Sequence, residues 1–202
     1  MNIFYLDKDP KTCAEMHNDK HCVKMILEYA QLLSTAHRVL DGIQVVGLSK
    51  SGRKQTRYEI SDKVVGLSFS GRKQTRYEIS DNRDGILYSA THINHPSAIW
   101  VRQSIPNYIW LAKLLEMLCI EYTYRYGKIH KVESSGLMQT LKNIFPKNIP
   151  SGKWSEPTPA MPDDVKVEND SISSYRNYYI KNKAHLAKWK NRNVPEWFNA
   201  NI

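Results

Sequence analysis

A row of titratable side chains between residues 17 and 35 is the best candidate for chemistry in this sequence. On a helix through this stretch, spacings of i, i+4, i+7, i+11, i+14 and i+18 bring together on one face the side chains of His17, His21, Lys24, Glu28, Gln31 and Thr35. Two imidazoles, an ammonium and a carboxylate in one row can move protons or hold an anion near neutral pH. The alternative is a solvated face whose histidines have no function.

One use of these residues is a metal site. His17 and His21 have the i, i+4 spacing that places two imidazoles on one ion. Asn18 stands where the metalloprotease motif requires Glu directly after the first histidine. A third ligand would have to come from Glu28, His92 or His95. This alternative predicts a metal-dependent hydrolase or transferase acting on nucleotides.

The interpretation we prefer needs no metal and no cofactor. Cleavage of a glycosidic bond requires a nucleophile, often an amine that forms a Schiff base, and a carboxylate that stabilises the cation and moves protons. Lys20 and Lys24 are the candidate amines, and a second helical unit adds a histidine and an arginine. The predicted catalytic residues are therefore His17, His21, Lys24, Glu28, His95 and Arg102.

The helix that must position the row is predicted to run from Lys11 to Asp41. This stretch has 31 residues without Gly or Pro, Pro10 precedes it, and Gly42 follows as a C-cap. The side of the helix opposite the row is predicted to enter the core through Val23, Ile26, Leu27, Ala30, Leu33 and Leu40.

Two more helices follow the Asn-His-Pro sequence that ends at Pro96. A short helix is predicted over residues 97–102, and a long helix opens at Ser104 and Pro106 and ends at Gly127. Glu121 falls on the apolar side of the long helix, one turn before Arg125. A carboxylate in that position is either paired with the arginine for structure or held for chemistry. We expect the structural pair.

Residues 45–81 contain an internal duplication. The segment Val45–Asp62 returns as Val64–Asp81 with differences only at Lys50 and Phe69. Each copy is predicted to form a β-hairpin with a Ser-Gly turn, inserted into the helical domain. The hairpin turns would present basic residues to a phosphate backbone, in particular Arg53, Lys54 and Arg57. The alternative is a surface insertion that tolerated doubling, so the fold should survive deletion of one copy.

The C-terminal third is predicted to contain two functional segments. Residues 151–170 are rich in proline and lack helical periodicity, which favours a strap across a binding groove. A last helix is predicted over residues 171–191. The basic residues in and after it, which no acid interrupts, form the strongest predicted contact with a phosphate backbone: Arg176, Lys181, Lys183, Lys188, Lys190 and Arg192.

The whole composition indicates a basic protein with one mainly α-helical domain spanning residues 1–202. The net charge is +9 and the isoelectric point is near 9.4, which favours a polyanionic partner such as DNA. The three cysteines form no CxxC pair, and no signal peptide or membrane-spanning run is apparent, so we expect a cytoplasmic protein.

The sequence also resembles a family of uncharacterised proteins encoded by tailed phages, notably marine ones. The resemblance covers nearly the whole chain outside the duplication. It is carried by DKHCVKMILEYAQLLSTAHRVLDG, by INHPSAIWVRQSIPNYIWL and EYTYRYGK, and by the final YRNYYI, KW and VPEWF segments. It implies a phage protein acting in the cytoplasm of the host cell.

More remotely, the order of segments is similar to the small helical pyrimidine-dimer DNA glycosylases of phages and bacteria. His17 and the His95-Pro96 element match that family in kind, as does the aromatic and basic C-terminus. The resemblance implies a helical fold, a DNA substrate and a nucleophilic amine on the residue exposed when Met1 is removed. Asn2 favours retention of Met1, and Glu28 is the acid nearest to the family's catalytic glutamate.

The sequence thus leaves three functions open. The preferred one is a phage-encoded DNA-processing enzyme, most concretely a base-excision DNA glycosylase or glycosylase/lyase. The second is a non-enzymatic nucleic-acid-binding accessory protein in which the histidine row is structural. The third is the metal-dependent enzyme acting on nucleotides.

Overall fold

The structure, a computed structural model, describes residues 1–47 and 74–199. It is mainly helical, as predicted, with one small two-stranded antiparallel sheet. The helices are α1 (Pro10–Met16), α2 (Asp19–Asp41), α3 (Pro96–Val101), α4 (Ile105–Tyr126), α5 (Lys131–Ser134), α6 (Leu137–Asn143), α7 (Ser171–Asn182) and α8 (Glu196–Asn199). The strands are β1 (Ile43–Gly47) and β2 (Gln74–Glu78), and short 3-10 turns cover Asp163–Val165 and Ala184–Leu186.

Helices α2 and α4 pack against each other at the centre of the fold, and α1, α3 and α6 pack on this pair. One hydrophobic core includes side chains from most of the elements. The predicted long helix is confirmed as α4, whose C-cap Gly127 has a φ of 63°. That left-handed conformation favours glycine, because other side chains are strained there.

The prediction of one continuous helix over Lys11–Asp41 is wrong. The chain breaks at His17 and Asn18, which have extended ψ values of 131° and 163°. The break is favoured because Asn18 caps α2, its side-chain oxygen accepting the N–H of His21 at 2.9 Å. Helix α1 is thus a separate short helix that packs on α4.

The predicted orientation of this region is also wrong in part. Ile26, Ala30 and Leu33 are buried as expected, but Val23 and Leu27 are 38% and 41% exposed. His17 and His21 are instead buried, at 0% and 6% exposure. The physical reason is that both imidazoles join a buried network of aromatic rings, which compensates their polarity with hydrogen bonds.

The described part of the duplication is the stem formed by β1 and β2. Ile43 pairs with Glu78 and Gly47 with Gln74, so the start of the first copy pairs with the end of the second. The prediction that each copy forms a hairpin around its own Ser-Gly turn stays a prediction. The remainder of the insertion, residues 48–73, lies outside the described residues.

Two arginines fix the base of the stem to the helical core. Arg38 of α2 donates to the carbonyl oxygen of Tyr77 at 2.9 Å and pairs with Asp84 at 2.6 Å. Arg83 pairs with Asp41 at 2.7 Å and donates to the Nδ1 atom of the buried His37 at 2.9 Å. Both ends of the insertion are therefore held from outside it.

The C-terminal third wraps the helical core. The proline-rich segment 151–170 packs on the core through buried Met161 and Val165, and its Ser155 carbonyl oxygen accepts the Trp100 indole N–H at 3.1 Å. The predicted last helix over residues 171–191 is too long, because α7 ends at Asn182. A 3-10 turn and an irregular segment then return to α1 and α2, where Trp189 donates to the carbonyl oxygen of Met16 at 2.9 Å.

Across residues 1–47 and 74–199, no helix is both long and apolar enough to cross a membrane.

Candidate amine–carboxylate site

The side chain of Glu28 is the centre of the best candidate site. This carboxylate is only 13% exposed and lies one turn along α2 from Lys24, whose ammonium nitrogen is 3.0 Å from Glu28 Oε1. The α-amino nitrogen of Met1 is 3.8 Å from the other carboxylate oxygen. Two amines therefore face one sheltered carboxylate.

His95 is the third group at this site. It caps α3, where its Nδ1 atom accepts the N–H of Ser97 at 3.2 Å. Burial lowers the pKa of His95, the positive Met1 amine and His92 lower it further, and the charge of Glu28 opposes them. His95 thus lies within electrostatic range of both the amine and the carboxylate.

The N-terminal segment brings Met1 to this position. Residues 3–6 are buried, and the backbone N–H of Phe4 donates to the Tyr29 hydroxyl at 3.0 Å. The hydroxyl of Ser97 donates to the carbonyl oxygen of Met1 at 3.1 Å. The segment is therefore held between α2 and α3, with the Met1 amine beside Glu28.

His17 does not join the site, contrary to the prediction. Its Nδ1–H donates to the Cys13 carbonyl oxygen at 2.7 Å, and its Nε2 accepts the Tyr29 hydroxyl at 3.2 Å. Burial, with the charge of Arg125, lowers the pKa of His17 to about 4. Both ring nitrogens are occupied and the side chain is inaccessible, so His17 supports the junction between α1 and α2 rather than chemistry.

The ring of His21 is less completely engaged than the ring of His17. Its Nδ1 atom lies 2.6 Å from the Tyr179 hydroxyl, and its ring stacks on Phe4 with centroids 4.2 Å apart. Burial, with the charges of His17 and three lysines, lowers the pKa of His21 to about 3. His21 is therefore neutral at physiological pH and is a poor proton shuttle there.

Arg102, the last of the predicted catalytic residues, is engaged with the backbone. Its guanidinium donates to the carbonyl oxygens of Ile93 and Ala98 at 2.7 and 3.0 Å. These bonds tie the loop before α3 to the end of that helix. Arg102 therefore positions the element that carries His95.

The structure does not support the metal site. Within the described ranges, no group of three or more His, Cys, Asp and Glu side chains has a geometry that could hold a metal ion. His17 has no free nitrogen for a metal, as described above. The function that depended on His17 and His21 as ligands therefore loses its basis.

Glu121 and Arg125 form the structural ion pair that we expected. Arg125 is fully buried and donates to Glu121 Oε1 at 2.7 Å, and Arg192 donates to Glu121 Oε2 at 2.8 Å. Asp19 accepts from Arg125 at 3.0 Å. These hydrogen bonds lower the pKa of Glu121 despite its burial. The cluster fastens the C-terminal segment to α4 and to the start of α2.

Several of the predicted phosphate-binding residues are already engaged within the protein. Arg176 donates to the carbonyl oxygen of Leu6 at 2.8 Å and stacks on Trp197. Lys181 donates to the carbonyl oxygen of Asp164 at 3.0 Å, and Arg192 belongs to the Glu121 cluster.

Three lysines of the predicted set remain better placed for a ligand. Lys183 lies over the ring of Tyr178 at 4.9 Å, and Lys190 lies over Tyr126 at 5.3 Å. Lys188 is exposed. The prediction for the hairpin turns, which concerns Arg53, Lys54 and Arg57, falls outside the described residues.

The sequence reasoning missed the groups that hold the site together. The hydroxyls of Tyr29 and Tyr179 bond His17 and His21, and the ring of Phe4 stacks on His21. The available sequence signal is Tyr29, which follows His17 by 12 residues in the same helical region. The pair of His21 and Tyr179 joins residues 158 positions apart, which helical periodicity cannot show.

Comparisons of the chain with protein-family models, with curated proteins and with solved structures found no match.

Proposed function

We propose that this chain is a base-excision DNA glycosylase, or glycosylase/lyase, whose chemistry is centred on Glu28. The observation that carries this proposal is the sheltered carboxylate within 4.0 Å of two amines, those of Lys24 and Met1. An amine nucleophile beside a carboxylate is the pair that this chemistry requires. The positive charge of the chain supplies the attraction for DNA.

The reaction begins when an uncharged amine attacks C1′ of the damaged nucleotide. The bond between C1′ and the base breaks, and its electron pair leaves with the base, which is protonated. Glu28 accepts the proton that the amine must lose and stabilises the positive charge that develops on the sugar. Opening of the sugar ring then leaves a Schiff base between C1′ and the amine, and the ring oxygen takes up a proton.

His95 is suited to donate a hydrogen bond to the leaving base. It lies close enough to Glu28 and to the Met1 amine for their charges to shift its pKa. Its Nδ1 accepts the N–H of Ser97 at 3.2 Å, so the neutral ring carries its hydrogen on Nε2. The Nε2–H group is therefore the proposed hydrogen-bond donor that stabilises the base as it leaves.

The first test is borohydride trapping on a panel of damaged and modified DNA duplexes. Reduction should convert the Schiff base into a stable protein–DNA adduct whose mass identifies the complex. Glu28→Gln keeps the size of the side chain and removes its charge, so we expect trapping to fall at least about a hundredfold. Lys113→Ala is the matched control, since Lys113 pairs with Glu116 away from Glu28.

Peptide mapping of the adduct assigns the nucleophile. An adduct on Lys24 or on the α-amino group supports the proposal, and loss of trapping in Lys24→Ala would favour the former. An adduct on any other residue, or no adduct on any lesion of the panel, would refute it.

The second candidate is a nucleic-acid-binding protein without catalytic activity. The exposed lysines of the C-terminal segment favour it, because DNA affinity needs no reaction. It predicts DNA binding that falls steeply with salt, with no adduct and no base release. The same trapping assay separates the two candidates.

A further inference from the structure

His21 has one ring nitrogen that the fold leaves available. Its side chain is 94% buried, and the Nδ1 atom is bonded to Tyr179. The Nε2 atom has no hydrogen-bond partner in the part of the chain that the structure describes, and it is not among the fully enclosed unpaired atoms. The small exposed part of His21 therefore includes Nε2.

The neighbours of His21 determine which nitrogen carries the hydrogen. The Asn18 side-chain oxygen accepts the backbone N–H of His21, which orients the Asn18 amide nitrogen toward Nδ1 at 3.4 Å. An amide nitrogen can only donate, so Nδ1 is an acceptor, and the Tyr179 hydroxyl at 2.6 Å then donates to the same atom. The hydrogen is on Nε2, which is a fixed, neutral donor.

The ring cannot turn away from this orientation. Phe4 stacks on one of its faces, with centroids 4.2 Å apart and planes 18° apart, and Tyr179 packs edge-on. Phe4 is also nearly parallel to Tyr178, over which Lys183 is held at 4.9 Å. The same aromatic cluster therefore positions the imidazole and a lysine.

Positive charge lies near the imidazole of His21. Lys183, Lys24 and Lys20 all lie close enough to lower the pKa of His21 through their charges. His21 is in the first turn of α2, whose 23 residues direct the positive end of the helix dipole toward the same place. A donor in this environment suits a ligand that only accepts hydrogen bonds and carries negative charge.

We propose that the Nε2–H of His21, together with the ammonium groups of Lys20 and Lys183, binds one phosphate group of a DNA strand beside the Glu28 site. Phosphate oxygens accept hydrogen bonds and carry the charge that the lysines complement. His21 and Glu28 are seven residues apart on α2, a spacing that places them on one face of the helix, so a bound phosphate would fix the strand relative to the reacting sugar. Only the identification of the phosphate as that of DNA rests on the proposed function.

The decisive measurement is the salt dependence of binding to a duplex containing a tetrahydrofuran abasic analogue, followed by fluorescence anisotropy. The double variant Lys20→Ala/Lys183→Ala should reduce the slope of log affinity against log salt by about 0.9, because the two lysines together neutralise one phosphate, and each single variant should reduce it by part of that amount. His21→Leu should weaken binding about tenfold or more at every salt concentration and leave the slope unchanged, since a neutral donor releases none. Lys113→Ala should change neither quantity.

A measurement on the unchanged protein guards against misfolding of His21→Leu. In ¹⁵N-labelled protein, the His21 ring should show the Nε2–H tautomer, and inorganic phosphate should shift that signal in a saturable way. An Nδ1–H tautomer, or no shift with phosphate, would overturn the subsite. A shift by phosphate without any loss of DNA affinity in His21→Leu would assign the subsite to free phosphate and overturn its role on DNA.

The glycosylase and the phosphate subsite can be refuted independently of each other. If the slopes change as expected but no borohydride adduct forms on any lesion, the phosphate subsite stands and the glycosylase does not. If an adduct forms but Lys20→Ala and Lys183→Ala keep the wild-type slope, the glycosylase stands and the subsite does not.

Discussion

At the scale of single residues, the hydrogen-bond partners of the histidines separate chemistry from support. His17 has both nitrogens occupied, His21 has one available, and His95 has one occupied by a helix cap. The residue type alone does not distinguish these three imidazoles. The position of each nitrogen relative to a hydroxyl or a carbonyl oxygen decides whether it can meet a substrate.

Tyr29→Phe tests the buried support of the N-terminal segment. The change removes a hydroxyl that accepts from Phe4 and donates to His17, leaving two buried polar groups unpaired. We expect the free energy of unfolding in urea to fall by about 2–4 kcal/mol. Tyr122→Phe is the control, because no partner for its hydroxyl is found within the described ranges and the change should be nearly neutral. Equal effects of the two substitutions would contradict this role of Tyr29.

At the scale of elements, the sequence predicted helices well where end signals and apolar periodicity agreed. The long helix that ends at Gly127 and the short helix after His95 were predicted nearly as observed. The first helix was not, because the absence of Gly and Pro was given more weight than the capping residue Asn18. In the candidate site, Lys24 and Glu28 followed from their spacing. The burial of His17 and His21 did not, since it depends on aromatic residues far along the chain.

The stem of β1 and β2 leads to a prediction about the duplication. Deletion of residues 63–81 removes one copy and joins Asp62 to Asn82, so the sequence QTRYEISD still precedes Asn82. Arg38 and Arg83, which hold the stem from outside, are unchanged. We expect the melting temperature to stay within about 4 °C of the intact chain, a shift that corresponds to less than about 1–2 kcal/mol. A larger fall measured by circular dichroism would show that the second copy stabilises the core.

At the scale of the whole molecule, the chain ends and the central helices form a continuous buried network. Residues 3–6 pass beside α2, and the segment after α7 returns to the junction of α1 and α2. His17 and His21 are enclosed in this way, and His37 is enclosed beside Tyr108 and Arg83. Burial lowers the pKa of the three histidines to about 4, 3 and 4 respectively. The folded protein therefore resists protonation at sites that the unfolded chain protonates readily.

The stability of the protein should consequently fall in mild acid. Above pH 6.5 the three imidazoles are neutral in both states. Between pH 6.5 and 4, only the unfolded chain binds the protons. The free energy of unfolding should therefore decrease as pH falls through this window, by about 4 kcal/mol per pH unit at the steepest point.

Urea unfolding at a series of pH values checks this prediction. His17→Gln should reduce the slope by about a third, since one of the three sites is removed. His185→Gln, a change at an exposed position, should leave the slope as it is. A stability that does not vary between pH 6.5 and 4 would contradict the neutral, buried state of these histidines.

The contacts of Asp19 also impose an order on folding during synthesis. Its backbone N–H donates to the Lys188 carbonyl oxygen at 2.8 Å, and its carboxylate accepts the Lys190 N–H at 2.8 Å. The ribosome adds these partners about 170 residues after Asp19 itself. A nascent chain can assemble α2 and α4 early, but the start of α2 remains incomplete until residues 188–190 have emerged. Chaperone capture of stalled chains should therefore persist until that late stage and end abruptly afterwards.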